Sequence, residues 1–147
     1  MRFEKWQALG NDYVIVEAAA LPAPLTGPVV RALCDRHTGI GADGILLLEA
    51  PDEPGFVARL RIFNPDGSEA ELSGNGAREA ILYLRRRGWT GQDQFSIQTI
   101  AGRPSMLTAF FSATYSSSAR SPPLRSFVVA HASYCGRGPT NSMTGTP

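Results

Sequence analysis

The stretch Asn64–Arg78, NPDGSEAELSGNGAR, constrains the fold of this 147-residue chain more than any other part of it. Asn64-Pro65-Asp66-Gly67 carries turn chemistry, because proline fixes φ and Asp-Gly tolerates left-handed backbone. A short extended piece follows. Ser73-Gly74-Asn75-Gly76 then opens into Ala77–Arg87, a run of helix formers that Gly88 can stop. Strand, tight turn and helix must therefore follow one another within a short span. Small residues at a helix entrance leave backbone N–H groups bare. With the positive end of the helix dipole, such groups bind carboxylate or phosphate. Ser73 stands at the lip of this mouth. For Gly-Asn-Gly taken alone, the competing reading is a helix capped by Ser73 or Asn75, with no ligand.

The rest of the first hundred residues predicts an α+β fold. Phe3–Leu9 and Tyr13–Glu17 read as strands joined by Gly10-Asn11-Asp12. The unbroken apolar run Tyr13–Val16 predicts a strand covered on both faces. Thr26 is a predicted N-cap with Pro28 in the first helical turn, and Val29, Val30, Leu33 and Cys34 form the apolar face. Ile45–Leu48 and Phe56–Phe63 read as a strand pair, and Phe95–Ile100 as a last strand. Ala80, Ile81, Leu82 and Leu84 should turn inward from Ala77–Arg87. Arg85, Arg86 and Arg87 complement the dipole at its C-terminal end, a stronger reading than a nucleic-acid patch.

A net charge of +1 gives no reason to expect a nucleic-acid or membrane partner. No run approaches the roughly 20 apolar residues of a spanning helix, and the N-terminus lacks the apolar core of a secretory leader. Two cysteines, Cys34 and Cys135, are no disulfide framework, so a reduced, cytoplasmic setting is the default. His37 and His131 are isolated, and no Cys/His cluster has metal-ligand spacing. All 13 acidic residues lie at or before Asp93. Ser105–Pro147 is rich in Ser, Thr, Ala, Gly and Pro, with Arg120, Arg125 and Arg137 as its only Lys, Arg, Asp or Glu. The chain thus divides into residues 1–104 and a tail, 105–147, in which Leu124–Ala130 could make one short strand. The tail reads as a disordered extension or as an out-of-frame translation, the second being favoured.

Three motifs resemble the diaminopimelate epimerase family, in order and in spacing. Ala8-Leu9-Gly10-Asn11-Asp12-Tyr13-Val14 is similar to its Gly-Leu-Gly-Asn-Asp-Phe-Val. Asp35-Arg36-His37-Thr38-Gly39-Ile40-Gly41-Ala42-Asp43-Gly44 is the second. Asn64, Asp66, Gly67 and Ser68, with Gly74 to Arg78, match Asn-x-Asp-Gly-Ser and Cys-Gly-Asn-Gly-Ala-Arg. The resemblance runs from Met1 to about Arg103. It implies the first of two similar domains, a barrel of short strands around a central helix, incomplete in this chain. It implies interconversion of LL- and meso-diaminopimelate for lysine and peptidoglycan precursors, by a cofactor-independent pair of thiols on opposite faces of the α-carbon. It marks Ser73 as the catalytic position, and Asn11, Asn64, Gly74, Asn75 and Gly76 as substrate contacts. An exposed face that lacks its second domain leaves room for a homodimer. Other superfamily racemases, or a carboxylate-binding remnant, are the alternatives.

One residue departs from the family: its catalytic cysteine is Ser73 here. A thiol titrates near 8.5 and a helix entrance pulls it lower, whereas a serine hydroxyl is far less acidic. The chain is therefore expected to be inactive. Cys135-Gly136 is followed by Pro139-Thr140, not helix formers, and lies too close to Ser73 to stand for the family's second thiol. Cys34 reads as an inert buried thiol. Asp35, His37 and Asp43, set among Gly39, Gly41 and Gly44, read as fixing a tight loop.

Overall fold

The computed structural model describes residues 1–101, 103–110 and 131–134. Its elements are the strands β1 (Glu4–Ala8), β2 (Asn11–Glu17), β3 (Gly44–Glu49), β4 (Arg59–Phe63), β5 (Glu69–Ala70), β6 (Gln94–Ala101), β7 (Arg103–Phe110) and β8 (His131–Tyr134). The helices are α1 (Gly27–Cys34) and α2 (Gly74–Arg86). The strands form one mixed sheet in the order β1-β2-β3-β4-β6-β7-β8, with β5 paired to β4. Two neighbour pairs are parallel, β2 with β3 and β4 with β6. Parallel neighbours need a crossover, and the two helices supply it. α1 lies in the connection from β2 to β3, and α2 in that from β4 to β6.

The two helices cover opposite faces of the sheet. Tyr13, Ile15, Leu46, Leu48, Leu60 and Ile62 turn towards Ala77, Ala80, Ile81 and Leu84 of α2. Val14, Val16, Ile45, Leu47 and Phe63 turn towards Val30 and Cys34 of α1. The alternation of side chains along a strand makes this split unavoidable for a run such as Tyr13–Val16, and all four residues are buried, as the sequence predicts. The fold is α+β, a half-barrel of short strands on a central helix. Its end strands β1 and β8 do not pair with each other, so the described barrel is open.

Several boundaries differ from the sequence expectation for local reasons. α2 begins at Gly74 rather than Ala77, because the Ser73 hydroxyl accepts the Gly76 N–H and starts the helix early. It ends as expected: Gly88 has φ +74°, and the Gly88 and Trp89 N–H groups return to the Arg85 and Leu84 carbonyls. β4 begins at Arg59 rather than Phe56, since Val57 donates to Ser96 and Ala58 accepts from Gln98, outside the β3 ladder. Val29 faces solvent, because α1 buries the i, i+4 pair Val30 and Cys34. Leu82 is only half-buried, and Tyr83 and Glu79 take the inward places beside the expected residues. β7 runs to Phe110, past the division drawn at residue 104, and pairs with β6 over its full length. Leu124–Ala130 and Cys135 lie outside the described residues.

The turn bearing Asn64 is docked on α1 by a contact between two glycines. A Cβ on Gly67 would lie 2.6 Å from the Gly27 carbonyl oxygen, and Gly67 has φ +85°. Arg31 donates to the Asp66 carbonyl at 3.0 Å beside it. Gly55 shares the left-handed backbone (φ +94°) but has open space around it. Gly55→Ala should therefore cost roughly 1–2 kcal/mol, for conformation alone. Gly67→Ala should cost about 2–4 kcal/mol, conformation plus overlap. Urea unfolding of the two variants checks the difference.

Candidate active site

Ser73 occupies the N-cap of α2 in extended conformation, and its Oγ accepts the Gly76 N–H at 3.1 Å. The Ser73 carbonyl accepts from Ala77 at 2.8 Å. These bonds spend two amides of the first turn, including one that the sequence reading gave to a ligand. Gly76 instead has a packing duty: a Cβ there would lie 2.9 Å from Leu46 Cδ2. The Gly74 and Asn75 N–H groups remain at the mouth, and Gly74 is exposed with open space beside it. The second bond of Ser73 is to the Tyr13 phenol, Oη to Oγ 2.9 Å, from β2. Sequence reasoning placed Tyr13 only in the core; its hydroxyl reaches the mouth from the α2 side of the sheet.

Asn11 lies beside the mouth. Asn75 Nδ2 donates to Asn11 Oδ1 at 2.7 Å. Asn11 Nδ2 points at Asp43 Oδ2, 3.4 Å away. Asp43 also accepts the Asp12 N–H at 3.0 Å, and Arg36 bridges Asp12 (2.7 Å) and Asp43 (2.7 Å). Lys5 adds a bond to Asp12 at 3.0 Å. Arg36 first, then Lys5, holds the Asp12 carboxyl well below the usual carboxylate range. The second motif thus clamps the loop that carries Asn11. Asp35 has the local duty expected of it: its Oδ1 accepts the His37 and Thr38 N–H groups and the Thr38 hydroxyl. Asp43 fixes the same loop through Arg36 and also reaches across to β2.

The structure joins Asn11 to Asn75 and caps the helix with Ser73, while Asn64 makes its side-chain bond within its own turn. Asn64 Nδ2 donates to Ser68 Oγ at 3.0 Å, inside its own turn, and Asp66 Oδ1 holds both the Ser68 N–H and hydroxyl. Those Ser68 bonds lower the Asp66 carboxyl. Burial raises the Cys34 thiol, in keeping with an inert role. No group of three or more His, Cys, Asp or Glu converges as a metal site among the described residues. No described helix is long and apolar enough to cross a membrane. The arginines closing α2 do more than meet solvent: Arg85 bonds Asp93, Arg86 lies over Trp6 and Arg87 reaches Glu17.

One titratable residue of α2 escaped sequence reasoning. Glu79 is 1 % exposed, and neither of its carboxylate oxygens has a hydrogen-bond partner. Burial, reinforced by the Asp12 charge, pushes its carboxyl up to about 7; the nearby Ala8 backbone amide, too poorly placed to count as a hydrogen bond, pulls the other way. Its position in the helical period was the available signal: Glu79 falls between Gly76 and Tyr83 on a face that packs inward.

The fold of this sheet is shared with several solved structures. A hydroxyproline epimerase from Agrobacterium vitis superposes with a TM-score of 0.56 at 14 % identity, over 76 % of this chain and 37 % of its own. A methylitaconate-delta-isomerase gives 0.54 at 10 % identity, over 70 % and 56 %. A Bacillus anthracis phenazine biosynthesis protein of the PhzF family gives 0.53 at 23 %, over 75 % and 34 %. At these identities the likeness is one of fold. In sequence, the chain belongs to the diaminopimelate epimerase family, whose profile matches residues 3–108. The diaminopimelate epimerase of Teredinibacter turnerae is 43 % identical over 102 residues, 69 % of this chain and 37 % of the relative. That of Desulforudis audaxviator is 46 % identical over 110 residues, 73 % and 39 %. A Nostoc diaminopimelate epimerase 2 is 48 % identical over 102 residues, 69 % and 35 %. The chain therefore spans little more than a third of the length of these relatives.

Glu79 makes stability depend on pH in a defined direction. Its folded-state titration near 7 lies above its usual 4.5, so the folded form prefers the proton. That stabilisation is complete below about pH 4.5 and is lost as pH rises through 7. Glu79→Gln should match the parent at pH 4 and exceed it at pH 8 by roughly 3 kcal/mol. Urea unfolding at the two pH values measures the gap.

Proposed function

We propose that this chain represents the first domain of a cofactor-independent amino-acid isomerase, of the type that interconverts LL- and meso-diaminopimelate. As a single domain it holds the amino-acid head group without turning it over. Its setting is cytoplasmic lysine and peptidoglycan precursor synthesis. The observation that carries this reading is the α2 mouth, where the Gly74 and Asn75 amides face outward beside the Asn11–Asn75 pair. Donors so placed suit a carboxylate whose α-carbon loses a proton, because they meet the charge that develops on the carboxylate oxygens. Asn64, whose Nδ2 gives one bond to Ser68, keeps its amide oxygen for the same head group.

The proton-transfer half of the reaction is weak in this chain. Ser73 stands where the family carries its catalytic cysteine, and its hydroxyl is held by the Gly76 amide and Tyr13. No imidazole hydrogen-bonds to it among the described residues. Each unit of mismatch between a base and its task costs about 1.36 kcal/mol, and a serine lies many units above a thiol. The family's second thiol belongs to its second domain. A two-face inversion needs both groups at near-attack distance. A carboxylate-binding remnant keeps the same mouth and differs only in having lost the chemistry. The apolar side chains of Leu9 and Leu72 near the mouth are exposed, which supports self-association of the isolated chain as a homodimer.

Incubation of the 147-residue protein with either isomer in D₂O, followed by mass spectrometry, should show no deuterium at the α-position. Ser73→Cys should not restore exchange. The Gly74 and Asn75 amide resonances should nevertheless shift with millimolar diaminopimelate. Deuterium uptake that depends on Ser73 would make the single domain catalytic and overturn the proposal. Unmoved amides would remove the binding half of it.

A further inference from the structure

Helix α2 meets the edge strand β1 along a polar stripe separate from its apolar face. Asn75, Glu79, Tyr83 and Arg86 recur every three or four residues and so share one side of the helix. Asn75 bonds Asn11 at the β1–β2 turn. Tyr83 packs edge-on to Trp6, with ring centres 6.0 Å apart, and donates to Glu17 at 2.7 Å. Arg86 lies 5.6 Å over the Trp6 ring. Both ends of the seam are thus tied down. Its middle holds Glu79, buried and without a hydrogen-bond partner, next to the Ala8 backbone.

We propose that Glu79 is a positioning residue: as the neutral acid it lets the β1–β2 turn close on α2, and its ionisation releases that turn, and Asn11 with it, from Asn75. The surrounding charges favour this direction. Asp12 on β2 is the charge that acts on Glu79, and it is negative. Lys5 and Arg36 are both bound to the Asp12 carboxylate. On its own helix, Tyr83 gives its phenolic hydrogen to Glu17, and burial pushes that phenol up to about 12. Glu4 on β1 and Glu17 on β2 share Arg87 at the far end of the seam. An ionised Glu79 would therefore be an anion facing an anion, in a place with little water. Burial already sets its titration near 7, inside the ordinary working range.

The turn is the part that can yield. The opposite face of α2 is locked into the core through Ala77, Ala80, Ile81 and Leu84. The turn has Leu9 at φ +53° and 80 % exposed, and Gly10 at φ +93° with open space where a Cβ would stand. Moving Leu9–Asn11 outward wets the carboxylate at the cost of edge contacts and of the long Asn11–Asp43 bond, while the Asp12–Arg36–Asp43 clamp holds the strand behind it. The Asn11–Asn75 bond, at the tip of the seam, is the first to go.

Hydrogen–deuterium exchange on the full chain between pH 5 and 8.5, corrected for intrinsic rates, tests this without any ligand. The outcome is thus separate from the reading of the substrate. Protection at Asn11 and Asp12 should fall roughly tenfold or more between pH 6 and 8, while Leu46–Leu48 stay protected. Glu79→Gln should hold the turn at its low-pH protection throughout, because a neutral side chain of the same shape cannot ionise. A purely structural role would shift protection equally at every pH and would overturn the proposal. So would an unchanged pH dependence in Glu79→Gln, or a loss that includes β3. If Glu79→Gln does not fold, ¹³C titration of the Glu79 carboxyl in the parent decides: its midpoint must coincide with the loss of protection, and a separate midpoint overturns the proposal.

Discussion

The bond between Ser73 and Tyr13 is the interaction on which the rest of the arrangement depends. Ser73 Oγ starts helix α2 by taking the Gly76 N–H, and the Tyr13 hydroxyl ties that start to strand β2. A helix without a cap leaves its first amides to find partners elsewhere. Here one side chain settles both the beginning of the helix and its position along the sheet. Gly76 then lies against Leu46, and the apolar side of α2 follows into the sheet. Serine suits this capping role, because its hydroxyl oxygen accepts a backbone amide well.

A second constraint comes from charge. Asp12, Arg36 and Asp43 join β2, the loop after α1 and the entry to β3. Most of this network is exposed, and single exposed pairs are worth little. Its value is geometric: Asp43 accepts from both the Asp12 amide and Asn11, so the loop has few alternative positions. The candidate site is therefore held from two sides, by the capped helix below and by the clamped loop above. Glu79 lies on the helix that joins these two supports, and burial there raises its carboxyl.

Much of this was legible in residue order. Asn64–Arg78 declared a turn and a helix entrance through Pro, Gly and Ser, residues whose backbone preferences act locally. The two-faced burial of Tyr13–Val16 was legible for the same reason, since apolar runs need no partner to be recognised. Less was legible where contacts join distant segments. The outward turn of Val29, the inward turn of Glu79 and the late start of β4 each depend on which neighbour a face meets. Periodicity alone does not identify that neighbour.

The sequence by itself determined most elements up to residue 101, the family and the glycine-rich mouth, because turn chemistry, capping and short motifs are properties of adjacent residues; the strands β7 and β8 it did not declare. Only the tertiary structure decided what the mouth retains. It showed Gly76 spent on a cap and on Leu46, Asn64 held in its own turn by Ser68, and Asn11 bonded to Asn75. It also placed a carboxyl in the α2–β1 seam with no partner. The physical reason is common to all four. A hydrogen-bonding group is available to a ligand only if no nearer partner takes it, and nearness between residues tens of positions apart exists only after the chain has folded.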